Sequence, residues 1–209
     1  MNQEFETLIK ELKDNGRKNV PRKFIHADYA NNYRTNYDTA KQKELKESIR
    51  VRGQEEAIWV KRGGNCLEIV DGFSRIKYMD EFGYDNIKVT LVDESKSERE
   101  IDELHYIGNL ASRPDPVDEA RGFQRYIEKH KCKPEEFAER TGYHILRIKN
   151  RLELLKLEEE ILQAIQQEKI TSSHGLLLAK FEDSKKRKEL FEQIVKGEYS
   201  LKETAEMLK

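Results

Sequence analysis

The stretch Leu67-Glu68-Ile69-Val70-Asp71-Gly72-Phe73-Ser74-Arg75-Ile76-Lys77-Tyr78 decides the reading of the chain. Leu67 to Val70 is a short apolar run with two β-branched residues. Gly63-Gly64-Asn65 bounds it upstream, so it reads as a buried strand. After Gly72 the period changes, and Ile76, Met79 and Phe82 recur at helical spacing until Gly83 stops them. A strand thus runs into a helix through a glycine turn. Arg75 lies in the first turn of that helix, where outward backbone N–H groups attract anions. Two readings fit this turn. It is a phosphate site, or Gly72 merely permits a tight bend beside a solvated arginine.

Working outward, Ala57 to Lys61 reads as a strand, Gly63-Gly64-Asn65 as a hairpin turn, and Ile87 to Val92 as a further strand alternating apolar and polar residues. Glu44 to Arg52 is a short helix ended by Gly53. Ser97 and Glu100 form a capping box that opens a helix carrying Ile101, Leu104, His105 and Ile107. Upstream, Phe5, Leu8, Ile9 and Leu12 mark one face of a terminal helix. The basic residues Arg17, Lys18, Arg22 and Lys23 follow, interrupted by Pro21, and residues 1–23 read as a helix with a mobile arm. Asp28 to Asp38 is a polar, aromatic loop. Beyond Arg113-Pro114 no strand pattern recurs. Asp115 with Pro116 starts a helix, and Ser200 with Glu203 starts the last. The expected architecture is α+β: a small mixed-sheet domain over 24–113 and an all-helical domain over 114–209.

Composition narrows the function. The 209 residues carry 39 Lys and Arg against 40 Asp and Glu, so a uniformly basic nucleic-acid coat is excluded and any such surface is a local patch. Cys66 and Cys132 lie far apart without metal-ligand spacing, which points to a reducing cytoplasm. No apolar run reaches membrane-span length and no signal-peptide core opens the chain, so a cytoplasmic protein without membrane contact is expected.

A local basic patch does occur. Glu135 to Arg140 reads as one short helix, Thr141-Gly142-Tyr143 as a tight turn, and Ile145 to Leu155 as a second helix with Ile145, Ile148, Leu152 and Leu155 on one face. Ala138 lets the helices approach, Gly142 takes a left-handed turn, and Ile148 fills the corner, the requirements of a helix-turn-helix. From Arg140 to Lys156 there are five basic residues and one acidic residue. Arg147, Lys149 and Arg151 leave the apolar face, where phosphates or base edges would lie. Arg151 stands at a position usually apolar in this motif, with Leu152 taking its place. An ordinary helical hairpin with a solvated basic face is the other reading of the same pattern.

The chain resembles the ParB partition proteins from about Phe24 to Lys209. The collinear matches are Leu45 to Gly53 with Glu56 to Val60, Asp71 to Tyr78, Asn109 to Ala120, Glu136 to Leu157, Ile170 to His174 and Tyr199 to Lys209. The resemblance implies a ParB/sulfiredoxin-like N-terminal domain that binds CTP with Mg²⁺, and a helix-turn-helix domain that binds a centromere-like DNA site. It further implies a homodimer, a ParA-type ATPase partner and a nucleoid- or plasmid-associated location; family members usually continue into a C-terminal dimerisation domain, and this chain stops at the helix before it. Position by position, Gly72, Phe73, Ser74, Arg75, Asn109 and Arg113 would surround the nucleotide, with Asn109 helping to hold the metal. Arg140, Tyr143, His144, Arg147, Lys149, Asn150 and Arg151, together with Ser172, Ser173 and His174, would face DNA.

Departures from the family pattern qualify the chemistry. Its turn usually carries Glu and a first Arg where this chain has Phe73 and Ser74. Its asparagine usually follows Glu where this chain has Gly108, and Arg113 sits one residue further along. A turn that holds phosphate without the equipment to cut it, at most a weak CTPase, is the expectation. Sulfiredoxin chemistry is disfavoured because Cys66 lies upstream in a strand. A nuclease or phosphotransferase using Glu68, Asp71 and Asp93, or a helix-turn-helix transcription regulator, remain the alternatives.

Overall fold

The computed structural model describes residues 2–29, 32, 34–37, 39–110, 114–197 and 199–206. The chain divides into two compact units, 1–109 and 110–209.

The first unit is built on a five-stranded mixed sheet. Its strands are β1 (Arg17–Pro21), β2 (Ile25–His26), β3 (Ile58–Gly63), β4 (Cys66–Asp71) and β5 (Asn86–Leu91), in the order β1-β5-β3-β4-β2. β3 and β4 form the expected antiparallel hairpin around Gly64-Asn65, while β5 joins β3 and β2 joins β4 in parallel. Strand alternation sets Ile58, Val60, Leu67, Ile69, Ile87 and Val89 into one core cluster, all buried. Three helices complete that core: α1 (Asn2–Asn15) through Phe5, Leu8, Ile9 and Leu12, α2 (Ala40–Arg52) through Ile49, and α3 (Phe73–Glu81) through Ile76 and Met79. A fourth helix, α4 (Glu98–Asn109), opens on the Ser97/Glu100 capping box, with Ser97 N–H donating to Glu100 at 2.9 Å. Its buried residues are Glu103 and Tyr106, whereas Ile107 is exposed.

The basic segment after α1 is a strand rather than a mobile arm. β1 pairs antiparallel with β5, placing Val20 opposite Ile87, and Val20 is fully buried. Its neighbours are ion-paired within the unit, Lys18 with Glu11, Arg22 with Asp80 at 2.6 Å, and Lys23 with Glu4 at 2.8 Å. With one apolar residue in five, β1 has no period of its own. The edge of β5 supplies its hydrogen bonds, and Pro21 is tolerated at the end of an edge strand.

The second unit is helical: α5 (Pro116–His130), α6 (Pro134–Thr141), α7 (Ile145–Leu154), α8 (Glu159–Gln166), α9 (Ser172–Leu178), α10 (Ser184–Val195) and α11 (Leu201–Glu206). Asp115 caps α5 by accepting from Val117 and Asp118 N–H. Two clusters hold the unit. Phe123 and Tyr126 of α5 meet Phe137 of α6 and Tyr143, with ring centroids 4.6–5.2 Å apart. Leu154, Leu157, Ile161, Leu162, Ile165, Leu178, Leu190 and Ile194 form an aliphatic core.

Glu158, at the N-terminal boundary of α8, ties that helix to α10. Its carboxylate takes Arg187 at 2.6 Å and the Ser184 hydroxyl at 2.9 Å. The Arg187 hydrogen bond holds its pKa down to about 2, against burial, which pushes the other way. A depressed carboxyl pKa contributes stability above the unfolded value of 4.5 and loses it as pH falls through about 2. The carboxylate is partly exposed, so the effect is modest. Acid titration of the helical signal should be shallower over this window in Glu158→Gln than in the parent; coincident curves would show that the pair adds nothing.

Candidate functional site

In the first unit, β4 ends at Asp71 and α3 begins at Phe73, so Gly72 alone makes the turn. Its backbone is left-handed at φ 104°, and a Cβ there would lie 2.6 Å from Ile58 Cγ2. Only glycine combines this torsion with this approach to β3. Arg75 turns back from the first turn of α3 to Asp71 at 3.0 Å and to Glu56 at 2.7 Å. Its Nε is buried with no hydrogen-bond partner. Asp71 also faces His105 of α4 at 3.4 Å and accepts from Asn109 Nδ2 at 3.4 Å. Burial pushes the Asp71 carboxyl up, but His105, Arg75 and the Gly72 backbone outweigh it and hold it below the usual carboxylate range.

The substituted positions have definite places. Phe73 is buried and packs edge-on against His105 and obliquely against Tyr29, so its ring is part of the core beside the turn. Ser74, also buried, accepts a hydrogen bond from Arg34 Nη1 at 3.1 Å, and Arg34 Nη2 donates to Asn109 Oδ1 at 3.4 Å. Arg34, the lone charged residue between Asp28 and Asp38, thus brings a guanidinium to position 74 through space. Sequence placed His105 only on a helix and left Arg34 unmarked; the only hint at Arg34 was a single cation in an otherwise uncharged aromatic stretch. Arg113 lies outside the described residues.

The turn suits an anion. Two guanidiniums flank the start of α3, one with an orphaned buried N–H, and the Glu56 carboxylate that engages Arg75 is largely exposed and readily displaced. It suits a metal less well as arranged, because Asn109 Oδ1 already faces the Arg34 cation. Among the described residues no three His, Cys, Asp or Glu side chains gather as a metal site. Glu68 pairs with Lys61, and Asp93 is exposed.

In the second unit, Gly142 at φ 79° ends α6, and Ile148 is fully buried in the corner between α6 and α7. The basic side chains do not all face outward. Glu119 of α5, 1% exposed, takes Arg147 through two bonds of 2.6 and 3.2 Å and Arg151 at 2.8 Å. One buried carboxylate thus draws two arginines, at i and i+4 of α7, back onto α5. Arg151 stands where an apolar residue was expected because Glu119 neutralises it; Leu154, not Leu152, fills the core beneath. Nothing in the sequence marked Glu119 apart from its place one turn into a helix. Tyr143 is turned inward among Phe123 and Phe137, with Arg147 over its ring at 4.9 Å. Burial, helped by Glu119, pushes its phenol to about 12.

The outward face of α7 carries Lys149, exposed and paired with Glu135 at 2.8 Å on the surface, together with Leu146 and half-buried Asn150. His144 caps α7, its Nδ1 accepting from Leu146 N–H at 3.2 Å. Arg140 is exposed at the end of α6. Ser172 and exposed Ser173 open α9, and His174 closes a capping box with Thr171, its pKa lowered by burial.

A small mixed sheet ending in a glycine–arginine turn, in a chain that also carries a helix-turn-helix unit, defines a two-domain helix-turn-helix protein. Residues 114–209 match the family described as the ParB HTH domain. The chain is 31% identical over 180 residues to a nucleoid occlusion protein of Halalkalibacterium halodurans, covering 84% of this chain and 62% of that protein. It is 31% identical over 173 residues to the nucleoid occlusion protein of Geobacillus thermodenitrificans, covering 82% and 61%. Its fold matches C-terminally truncated chromosome-partitioning protein ParB from Caulobacter crescentus, complexed to the centromeric parS site, with a TM-score of 0.62 at 18% identity, over 91% of this chain and 98% of that one. Residues 114–209 thus carry a ParB HTH domain, and the chain as a whole is similar to ParB-family proteins in sequence and fold. It spans about three fifths of the length of the curated relatives it matches.

Proposed function

We propose that this chain is a site-specific, double-stranded-DNA-binding protein of the ParB type, acting on the nucleoid in the manner of its nucleoid occlusion relatives rather than as a plasmid partition factor. A second copy of the chain and a ParA-type ATPase are the protein partners this reading carries. The observation that supports it is the α6–Gly142–α7 hairpin, which offers the exposed face of α7 to a groove. Lys149 is the side chain to test, because its surface pair with Glu135 is screened and easily exchanged for a phosphate. Duplex binding should weaken with salt, and Lys149→Ala should flatten the log–log slope by about 0.9. A variant with an unaltered slope and affinity would remove α7 from the interface.

The Gly72 turn extends the proposal to a regulatory nucleotide. A triphosphate, CTP on the family resemblance, would displace Glu56 from Arg75 and engage Arg34 from the opposite side, with Mg²⁺ travelling with the phosphates. Guanidinium–phosphate bonds are charge-assisted and strong. Titrating CTP, ATP and GTP with and without DNA should reveal one preferred nucleotide, and Arg34→Ala should weaken it by at least about tenfold. Equal affinity in Arg34→Ala would leave the loop out of the site. Mg²⁺-dependent nicking of plasmid that vanishes in Asp71→Ala would instead favour a nuclease.

A further inference from the structure

With Arg147 and Arg151 held against Glu119, the outward side of α7 differs from the basic stripe its sequence suggests. At about 100° per residue, Leu146, Lys149, Asn150 and Glu153 share one face, with Leu146 near its middle and Ile148 on the opposite side. Burial agrees. Leu146 is 58% exposed, and Ile148 is fully buried. An exposed leucine is unremarkable in itself. Leu146, however, occupies the first turn of the second helix of a helix-turn-helix, the part that reaches base edges. Val195 and Leu201, the other exposed large apolar residues of this unit among those described, sit on α10 and α11. One ammonium, one amide, one apolar side chain and a carboxylate already paired with Lys156 at 2.8 Å make a surface better matched to base edges than to the phosphate backbone, which would call for the arginines.

We propose that Leu146 is a specificity-determining residue that packs on the C5-methyl group of thymine in the major groove, where that methyl is the one apolar feature a base pair presents. The inference rests on the DNA-binding reading and deepens it. Lys149 and Asn150 flank Leu146 at one turn's distance, so they would address the backbone and a neighbouring base while the leucine reads the methyl.

The test uses the full chain and a duplex that the parent protein selects from a random library. A second duplex replaces each thymine by deoxyuridine, which deletes the methyl and keeps the pairing edge. The parent should bind the uracil duplex about fourfold more weakly per contacted methyl. Leu146→Ala should lose the same factor on the thymine duplex and no longer distinguish the two, with unchanged affinity for unselected DNA and an unchanged urea midpoint. Discrimination by Leu146→Ala equal to that of the parent, or none in the parent, overturns the proposal. Failure of the parent to enrich any sequence instead overturns the DNA-binding reading beneath it.

Discussion

Replacing Arg147 and Arg151 together by alanine should destabilise the helical unit by about 3–5 kcal/mol before any DNA is added. The double variant strands Glu119, which is 1% exposed, without a counter-charge. Desolvating a lone carboxylate costs far more than a surface pair contributes. Two controls separate this from lost packing. Changing Glu119 to Gln with both arginines to Met replaces the ionic triad by groups of similar volume and should recover most of the stability. Trp59, the chain's single tryptophan, lies on β3 in the other unit, so its fluorescence transition should not move. A double-alanine variant whose urea midpoint by circular dichroism matches the parent would show that Glu119 finds solvent some other way. An alanine scan of α7 that includes these arginines would report folding before it reported recognition.

Gly72→Ala should damage the opposite unit. A left-handed residue with a Cβ costs about 1–2 kcal/mol. A methyl 2.6 Å from Ile58 Cγ2 adds overpacking of about 1–3 kcal/mol. The Trp59 transition should shift to lower urea, the helical unit should keep its own midpoint, and nucleotide affinity should fall because Arg75 is carried on the displaced start of α3. Gly72→Ala with unchanged Trp59 unfolding would mean that β3 yields at little cost.

The sequence made plain whatever depends on local pattern. The hairpin of β3 and β4, the strand-to-helix switch at Gly72, the caps at Ser97, Asp115 and Ser200, and the corner at Ile148 are each written in a few adjacent residues. Long-range pairings were hidden. β1 is a strand only because β5 lies beside it. Arg34 reaches Ser74 and Asn109 across 40 and 75 residues, and Glu119 reaches Arg147 and Arg151 across 28 and 32. A helical wheel shows Arg147 leaving the apolar stripe; it cannot show that a buried carboxylate waits on α5.

The position of β1 has a consequence for synthesis. Its partner β5 begins some seventy residues later, and the core under the sheet needs Phe5, Leu8, Ile9 and Leu12 from the very start of the chain. At 5–20 residues per second, the ribosome would hold that apolar helix face uncovered for roughly 4–14 s before β5 emerges to complete the sheet. The first unit is therefore a late-closing, high-contact-order body whose earliest residues are among the last to find their partners. The helical unit, built from neighbouring helices, can assemble as it leaves the tunnel. An amino-terminal truncation would leave β5 without its edge strand and the sheet without α1, and would release an aggregation-prone nascent domain instead of a trimmed protein.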